Sequence, residues 1–149
     1  MKNFAIIVTL LLGSISAWAD RPPVNSLNDL PAKWDGVAGS LFAQEQGSLS
    51  IDRIIRVIRD EKPGSFAATY EVEASLKIGA RTIGVSKIEL SSSSQAKAVY
   101  WITLQLNDDL VPRVFGAITY DEATNTYALR EMPRQGGERR FSFTAPASK

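Results

Sequence analysis

Phe66 to Ile78 alternates without a break. Phe66, Ala68, Tyr70, Val72, Ala74, Leu76 and Ile78 are apolar at every second position, and Thr69, Glu71, Glu73, Ser75 and Lys77 stand between them. Seven apolar residues in a two-residue step predict a long strand with one buried and one wet face. Gly79-Ala80 turns the chain, and Arg81 to Leu90 predicts the next strand. There the apolar set changes parity, from Ile83 and Val85 to Ile88 and Leu90. A bulge near Ser86-Lys87 accounts for the change and would bend the strand around a barrel.

The same alternation recurs downstream. Ser91 to Ser94 reads as a loop, and Ala96 to Leu106 as a strand through Ala98, Tyr100, Ile102 and Leu104. Val111 to Tyr120 follows, with Pro112 near its start, where a missing donor is tolerated. Tyr127 to Met132 comes next, then Gly136-Gly137 as a hairpin signal, then Arg139 to Thr144 with Phe141 and Phe143 on one face. Trp34 to Ala43 adds a strand upstream.

Ser50 to Asp60 is the ambiguous element. Ile51, Ile54, Ile55 and Ile58 stand at helical spacing, and Ser50 fits a helix cap. Its β-branched content and the flanking Gly47 and Pro63-Gly64 favour a strand. On that reading the domain is all-β, an antiparallel up-and-down meander of about eight strands closing into a small barrel.

The amino terminus changes the picture of where this domain works. Lys2, the apolar run Phe4 to Leu12 and the Ala17-Trp18-Ala19 site predict a signal peptide over residues 1–19, cleaved before Asp20. Of 149 residues, removal of those nineteen leaves 130, the size of one domain. Residues 20–33, rich in proline and asparagine, predict a leader that lies across the fold or links to it, and residues 34–149 a single β domain. The expected destination is the bacterial periplasm or the extracellular space.

Composition removes most catalytic chemistry. The chain has no cysteine and no histidine, so disulfides, thiolate metal sites, an N-terminal lipid on cysteine and Ser-His-Asp or Cys-His triads are excluded. Seventeen basic residues face sixteen acidic ones, and loss of Lys2 with the signal balances them. A neutral domain has no field to draw nucleic acid, and the Arg53, Arg56, Arg59 series reads as a solvated stripe. Asn107-Asp108-Asp109 and Asp121-Glu122 read as polar turns without cation-loop spacing. Glu71 and Glu73 share a strand face but read as solvent-exposed, not as a glycosidase pair. Gly79 to Gly84 lacks the lysine and helix of a phosphate loop. No enzyme, metal or cofactor is expected.

Two aromatic features remain. Trp34 lies in the first predicted strand, and Arg139 and Arg140 in the last. The arrangement resembles lipocalin-type, calycin-like barrels, in which a first-strand tryptophan stacks on a last-strand arginine. Here the glycine follows the tryptophan instead of preceding it. The resemblance implies architecture and no ligand.

The expected function is an exported, non-catalytic barrel that binds a small apolar or amphipathic ligand. Tyr70 and Tyr100 beside the small Ala68 and Ala74 are the candidate lining. The alternative is an envelope protein-interaction module, an inhibitor or assembly subunit, with Trp101 and Val99 on a nominally outward face as its contact surface. An outer-membrane barrel fits less well, because the inner row holds too many alanines for a lipid belt. N-terminal sequencing of exported protein should begin at Asp20, and a mature chain retaining Met1 would contradict the export reading.

Overall fold

The computed structural model describes Val24 and residues 26–39, 43–60, 66–92, 99–132 and 140–147. Within the strands, the side chains of Arg59, Asp60, Phe66, Ser92 and Val99 lie outside that description. A 3-10 turn at Leu27–Asp29 precedes eight strands. These are β1 (Lys33–Gly39), β2 (Gln44–Asp60), β3 (Phe66–Ile78), β4 (Arg81–Ser92), β5 (Val99–Leu106), β6 (Arg113–Asp121), β7 (Thr126–Glu131) and β8 (Arg140–Pro146). Each pairs antiparallel with the next, and β8 returns to β1, closing the barrel.

The unbroken alternation of β3 holds throughout its described side chains. Ala68, Tyr70, Val72 and Leu76 are buried, while Glu73 and Lys77 are exposed and Glu71 is half-buried. On β4 the register shifts between Val85 and Lys87 against β5, which places the bulge at Ser86. The inward set accordingly steps from Ile83 and Val85 to Ile88 and Leu90.

The 50–60 segment is strand, and its helical spacing has a cause. Two bulges interrupt β2 against β3, one between Ile51 and Arg53 and one between Ile54 and Arg56. Each inserts one residue and reverses parity. The residues opposite the inward row of β3 therefore fall three apart at Ile51, opposite Ala74, and Ile54, opposite Val72, whereas Ile55, Val57 and Ile58 beyond them are exposed. A doubly bulged strand imitates a helix period.

Other boundaries differ from expectation. β1 ends at Gly39, where φ is +135°, a conformation glycine adopts without penalty. β2 begins six residues earlier than predicted, because pairing with β1 carries the weakly strand-forming Gln44–Gly47 stretch. Ser91 and Ser92 extend β4 where a loop was expected, and β6 starts after Pro112, not before it. The expected start of β5 at Ala96 and the Gly136-Gly137 hairpin lie outside the described residues.

Inside, large side chains are buried between the barrel's ends. Trp34, Tyr70, Tyr127, Phe143, Leu49, Leu76, Ile88, Leu90, Leu104, Ile118 and Leu129 are all fully buried. Outside, Glu73, Lys77, Lys87, Glu89 and Arg130 are exposed. An apolar interior within a charged wall is the reverse of a lipid-embedded barrel.

The seam between β1 and β8 depends on missing side chains. Gly36 faces Gly47 across β1–β2 and Phe143 across β1–β8. A Cβ on Gly36 would stand 2.1 Å from the Ser142 carbonyl oxygen, and one on Gly47 would stand 3.0 Å from the Phe143 ring. Small residues on the first strands thus make room for the large ones on the last. Leu76→Ala should cost about 2–5 kcal/mol, because it empties part of this packed interior. Glu73→Ala should change stability by under about 0.5 kcal/mol, since its ion pair with Arg53 is exposed on both sides. Urea melts of both variants check the difference, and equal effects would mean that the two faces of β3 are buried alike.

Candidate functional site

A meander barrel has two ends, and this chain treats them differently. At one end, which holds the start of β1, the leader closes the opening. Val24, Leu27 and Leu30 are buried with the core. The Leu27 N–H donates to the Tyr70 hydroxyl at 3.0 Å, and the Trp34 indole N–H donates to the Pro31 carbonyl at 2.8 Å. The Ser26 N–H donates to the Asp29 carboxylate, which tightens the 3-10 turn. Short apolar side chains on a tight turn suit this place, because they fill the opening while their polar backbone finds partners.

The opposite end is a cup of about 450 Å³. The end of β1 supplies Ala38, β3 supplies Ile78, β4 supplies Ile83 and β8 supplies Phe141, and these make its apolar floor. Glu45 on β2, Arg81 on β4, Glu131 on β7 and Arg140 on β8 stand around it. Ala38 is small, so the floor lies deep there, and the Phe141 ring is held by stacking on Phe143 at 4.9 Å between centroids.

Two of the four ring charges, Arg81 and Glu131, are tied to the fold. Arg81 donates to Asp108 at 2.5 Å, which fastens the β5–β6 loop to the start of β4. Asp108 also accepts the backbone N–H groups of Leu110 and Val111, and these bonds with the Arg81 charge hold its carboxyl below the ordinary carboxylate range. Glu131 accepts the Phe141 N–H at 3.2 Å. Burial pushes its carboxyl up, and the Phe141 N–H and the Arg140 charge offset only part of that push. The cup therefore joins an apolar floor to a ring able to hold polar groups in fixed positions.

The residues expected to line a ligand site lie elsewhere. Tyr70, Tyr100 and Ala68 are buried toward the leader end, and Tyr70 is engaged by Leu27. Ala74 is half-buried between Ile51 and Val85, in the middle of the barrel. None of the four lines the cup. Trp101 is half-buried on the outer wall, stacked on Phe115 at 5.3 Å with the rings 14° from parallel. Val99 pairs with Thr119, and its side chain is outside the described residues.

The expected pairing of Trp34 with a terminal arginine is not made by Arg140. Arg140 pairs with Gly39, five residues along β1 from Trp34, or about 17 Å at strand rise. Trp34 packs instead near Tyr127, with ring centroids 6.2 Å apart. Arg139 lies outside the described residues. The likeness to lipocalin-type barrels is thus one of architecture alone. The other weighed candidates are on outer surfaces. Glu73 pairs with Arg53, and Glu71 beside it is half-buried. Among the described residues no three acidic side chains converge on a metal-sized point.

Glu131 gives the site a pH signature. A carboxyl whose pKa is raised on folding contributes its stability below the ordinary value near 4.5 and loses it as pH rises through the folded value. Glu131→Gln removes the charge but keeps an oxygen for the Phe141 N–H. The variant and the wild type should therefore be equally stable near pH 4, and the variant should become the more stable as pH rises to 7. Urea melts across that range test the sign, and a wild type gaining on the variant with rising pH would reverse it.

The chain matches no family model, no curated protein and no solved structure. What the fold does must be read from the chemistry of its own open end.

Proposed function

We propose that this chain is an exported, non-catalytic barrel that binds a small amphipathic molecule in the cup at its open end. One observation carries the reading. Large buried side chains line the middle of the barrel and the leader packs on the core at one end, while the other holds a cup of about 450 Å³ with an apolar floor and a charged ring. That volume falls within the range of small-molecule sites, roughly 300–1,000 Å³. The apolar part of the ligand rests on Ala38, Ile78, Ile83 and Phe141, and its polar end meets the ring. Without histidine or cysteine the ring holds no nucleophile–base pair, which supports binding over turnover. The signal-like residues 1–19 support work outside the cytoplasm.

A second reading, the envelope interaction module, has one observation in its favour. Trp101 and Phe115 stack on the outer wall, where an aromatic pair gains from further burial.

Titration with N-phenyl-1-naphthylamine, a neutral apolar fluorophore, tests the first reading. Saturable binding with a fluorescence rise is expected. Ala43→Leu narrows the exposed edge of the cup and Ile78→Ser makes its floor polar. Each should weaken binding about tenfold, near 1.4 kcal/mol, with circular dichroism unchanged. Folded variants that bind as the wild type does would place the probe elsewhere. Trp101→Ala should leave probe affinity unchanged.

A further inference from the structure

Closure of the barrel leaves one strand edge uncovered. β1 pairs with β2 only from Gln44 to Ser50, while β3 pairs with β2 as far as Asp60. The Ile51 N–H still finds a partner, the Ala32 carbonyl at 2.8 Å. Beyond it the leader turns onto the core, where Leu27 and Leu30 are buried. Among the described residues no backbone group bonds the outer edge of β2 from Asp52 to Asp60. Alternate residues of a strand direct their N–H and C=O groups to opposite neighbours, so about half of those in this stretch point away from β3. An edge of this kind is a template for a further strand.

The bulges decide which part of the edge takes one. They fall between Ile51 and Arg53 and between Ile54 and Arg56, so the edge is irregular as far as Ile55. From Arg56 to Asp60 the register against β3 runs unbroken, from Glu71 to Ala67. Bulges and charges are common guards of an open edge, because they spoil pairing with an arbitrary strand. Here the charges also select a partner. Laid antiparallel on itself about Ile58, the run Arg56-Val57-Ile58-Arg59-Asp60 sets Arg56 against Asp60 at both ends and Ile58 against Ile58 between them. Arg56, Ile58 and Asp60 alternate with Val57 and Arg59, so the three share one face. Opposite charges directly across an antiparallel pair stabilise it, and like charges oppose it. A centre at Arg56 would instead set Asp52 against Asp60 and Arg53 against Arg59. The unbulged run is thus complementary to a second copy of itself in one register.

We propose that two copies of this chain associate edge to edge through residues 56–60 of β2, antiparallel about a two-fold axis at Ile58. The two barrels then share a continuous sheet, running from β3 and β2 of one copy into β2 and β3 of the other. Val57 and Ile58, 46% and 45% exposed in the single chain, come to lie in the middle of that sheet. The contact uses the same surface on both copies and each edge once, so association closes at a dimer. The shared ladder is short, which makes this a reversible dimer rather than an obligate one.

Sedimentation velocity of the full protein over a range of concentrations tests this. The wild type should pass from monomer to dimer and no further. Arg56→Asp and Asp60→Arg should each weaken the dimer about tenfold or more, because each sets like charges opposite at both ends of the ladder. An equimolar mixture of the two variants should dimerise as the wild type does, since every pair across the ladder is again of opposite sign. The double variant Arg56→Asp/Asp60→Arg should recover for the same reason. Circular dichroism checks that the barrel stays folded, and recovery in the mixture shows it independently. The chain has no cysteine, so Ile58→Cys places a single thiol at the two-fold axis. Mild oxidation should link two chains there and far more slowly through Leu110→Cys, which is exposed on the β5–β6 loop. A wild type that stays monomeric, single variants that dimerise as the wild type does, a mixture that fails to recover, or equal linking at both cysteines overturns the β2 pairing.

Discussion

Closure of the β1–β8 seam is the constraint on which the rest of this barrel depends. Gly36 and Gly47 lie opposite each other, and the Phe143 ring occupies the space a Gly47 side chain would take. A side chain at Gly36 would strike the backbone of β8 itself, so the two strands could not keep their pairing distance. Without that pairing, β1 and β8 become exposed edges, and the barrel becomes an open sheet with its core partly in water. The small residues at one end of the chain are matched to the phenylalanines at the other. Closure is therefore a packing event between segments about a hundred residues apart. It forms late in any chain that builds its hairpins locally.

Bulges set the curvature that brings those ends together. β3 keeps unbroken alternation of burial yet carries one extra residue against β4 between Glu71 and Ala74, while β2 carries two against β3 and β4 carries one against β5. Such asymmetry twists and bends the sheet on both sides of β3. It also shows where a sequence is legible. β3 and β8 were readable because nothing interrupts their period, and the bulge at Ser86 was readable because a single parity change has few other causes. The two bulges of β2 lie three residues apart. Together they turn a two-residue period into one that resembles a helix, and only the β-branched content argued against it. The Gln44–Gly47 part of that strand was illegible, because its propensity is weak and its pairing with β1 supplies what the residues lack.

The candidate site was much less legible than the fold. Alternation reveals which residues point inward, but not which end of the barrel they approach or whether another segment fills that end. Tyr70, Tyr100 and Ala68 point inward as expected, and the leader end where they sit is closed by Leu27 and Leu30. The cup draws one or two residues from the ends of each of six strands, between Ala38 and Phe141. Nothing in their local sequence links Glu45 to Glu131. Only closure brings them together. The same reasoning explains Trp34. Its place in the first strand and that of Arg140 in the last suggested contact, but the antiparallel register sets them at opposite ends.

The two ends then divide the work between stability and chemistry. At the leader end, aromatic rings and leucines are buried, and the Tyr70 hydroxyl among them accepts the Leu27 N–H. At the open end, Glu131 is kept half-buried at an energetic cost, with its carboxyl pushed up by desolvation. An apolar residue there would cover the floor better and remove that cost, since a half-buried carboxylate gains little from one N–H and a neighbouring arginine. A charge held against its own solvation beside an apolar cup is the feature on which the binding proposal rests. The packed middle keeps the strands at fixed spacing, so the ring of side chains is positioned by rigid walls instead of by loops.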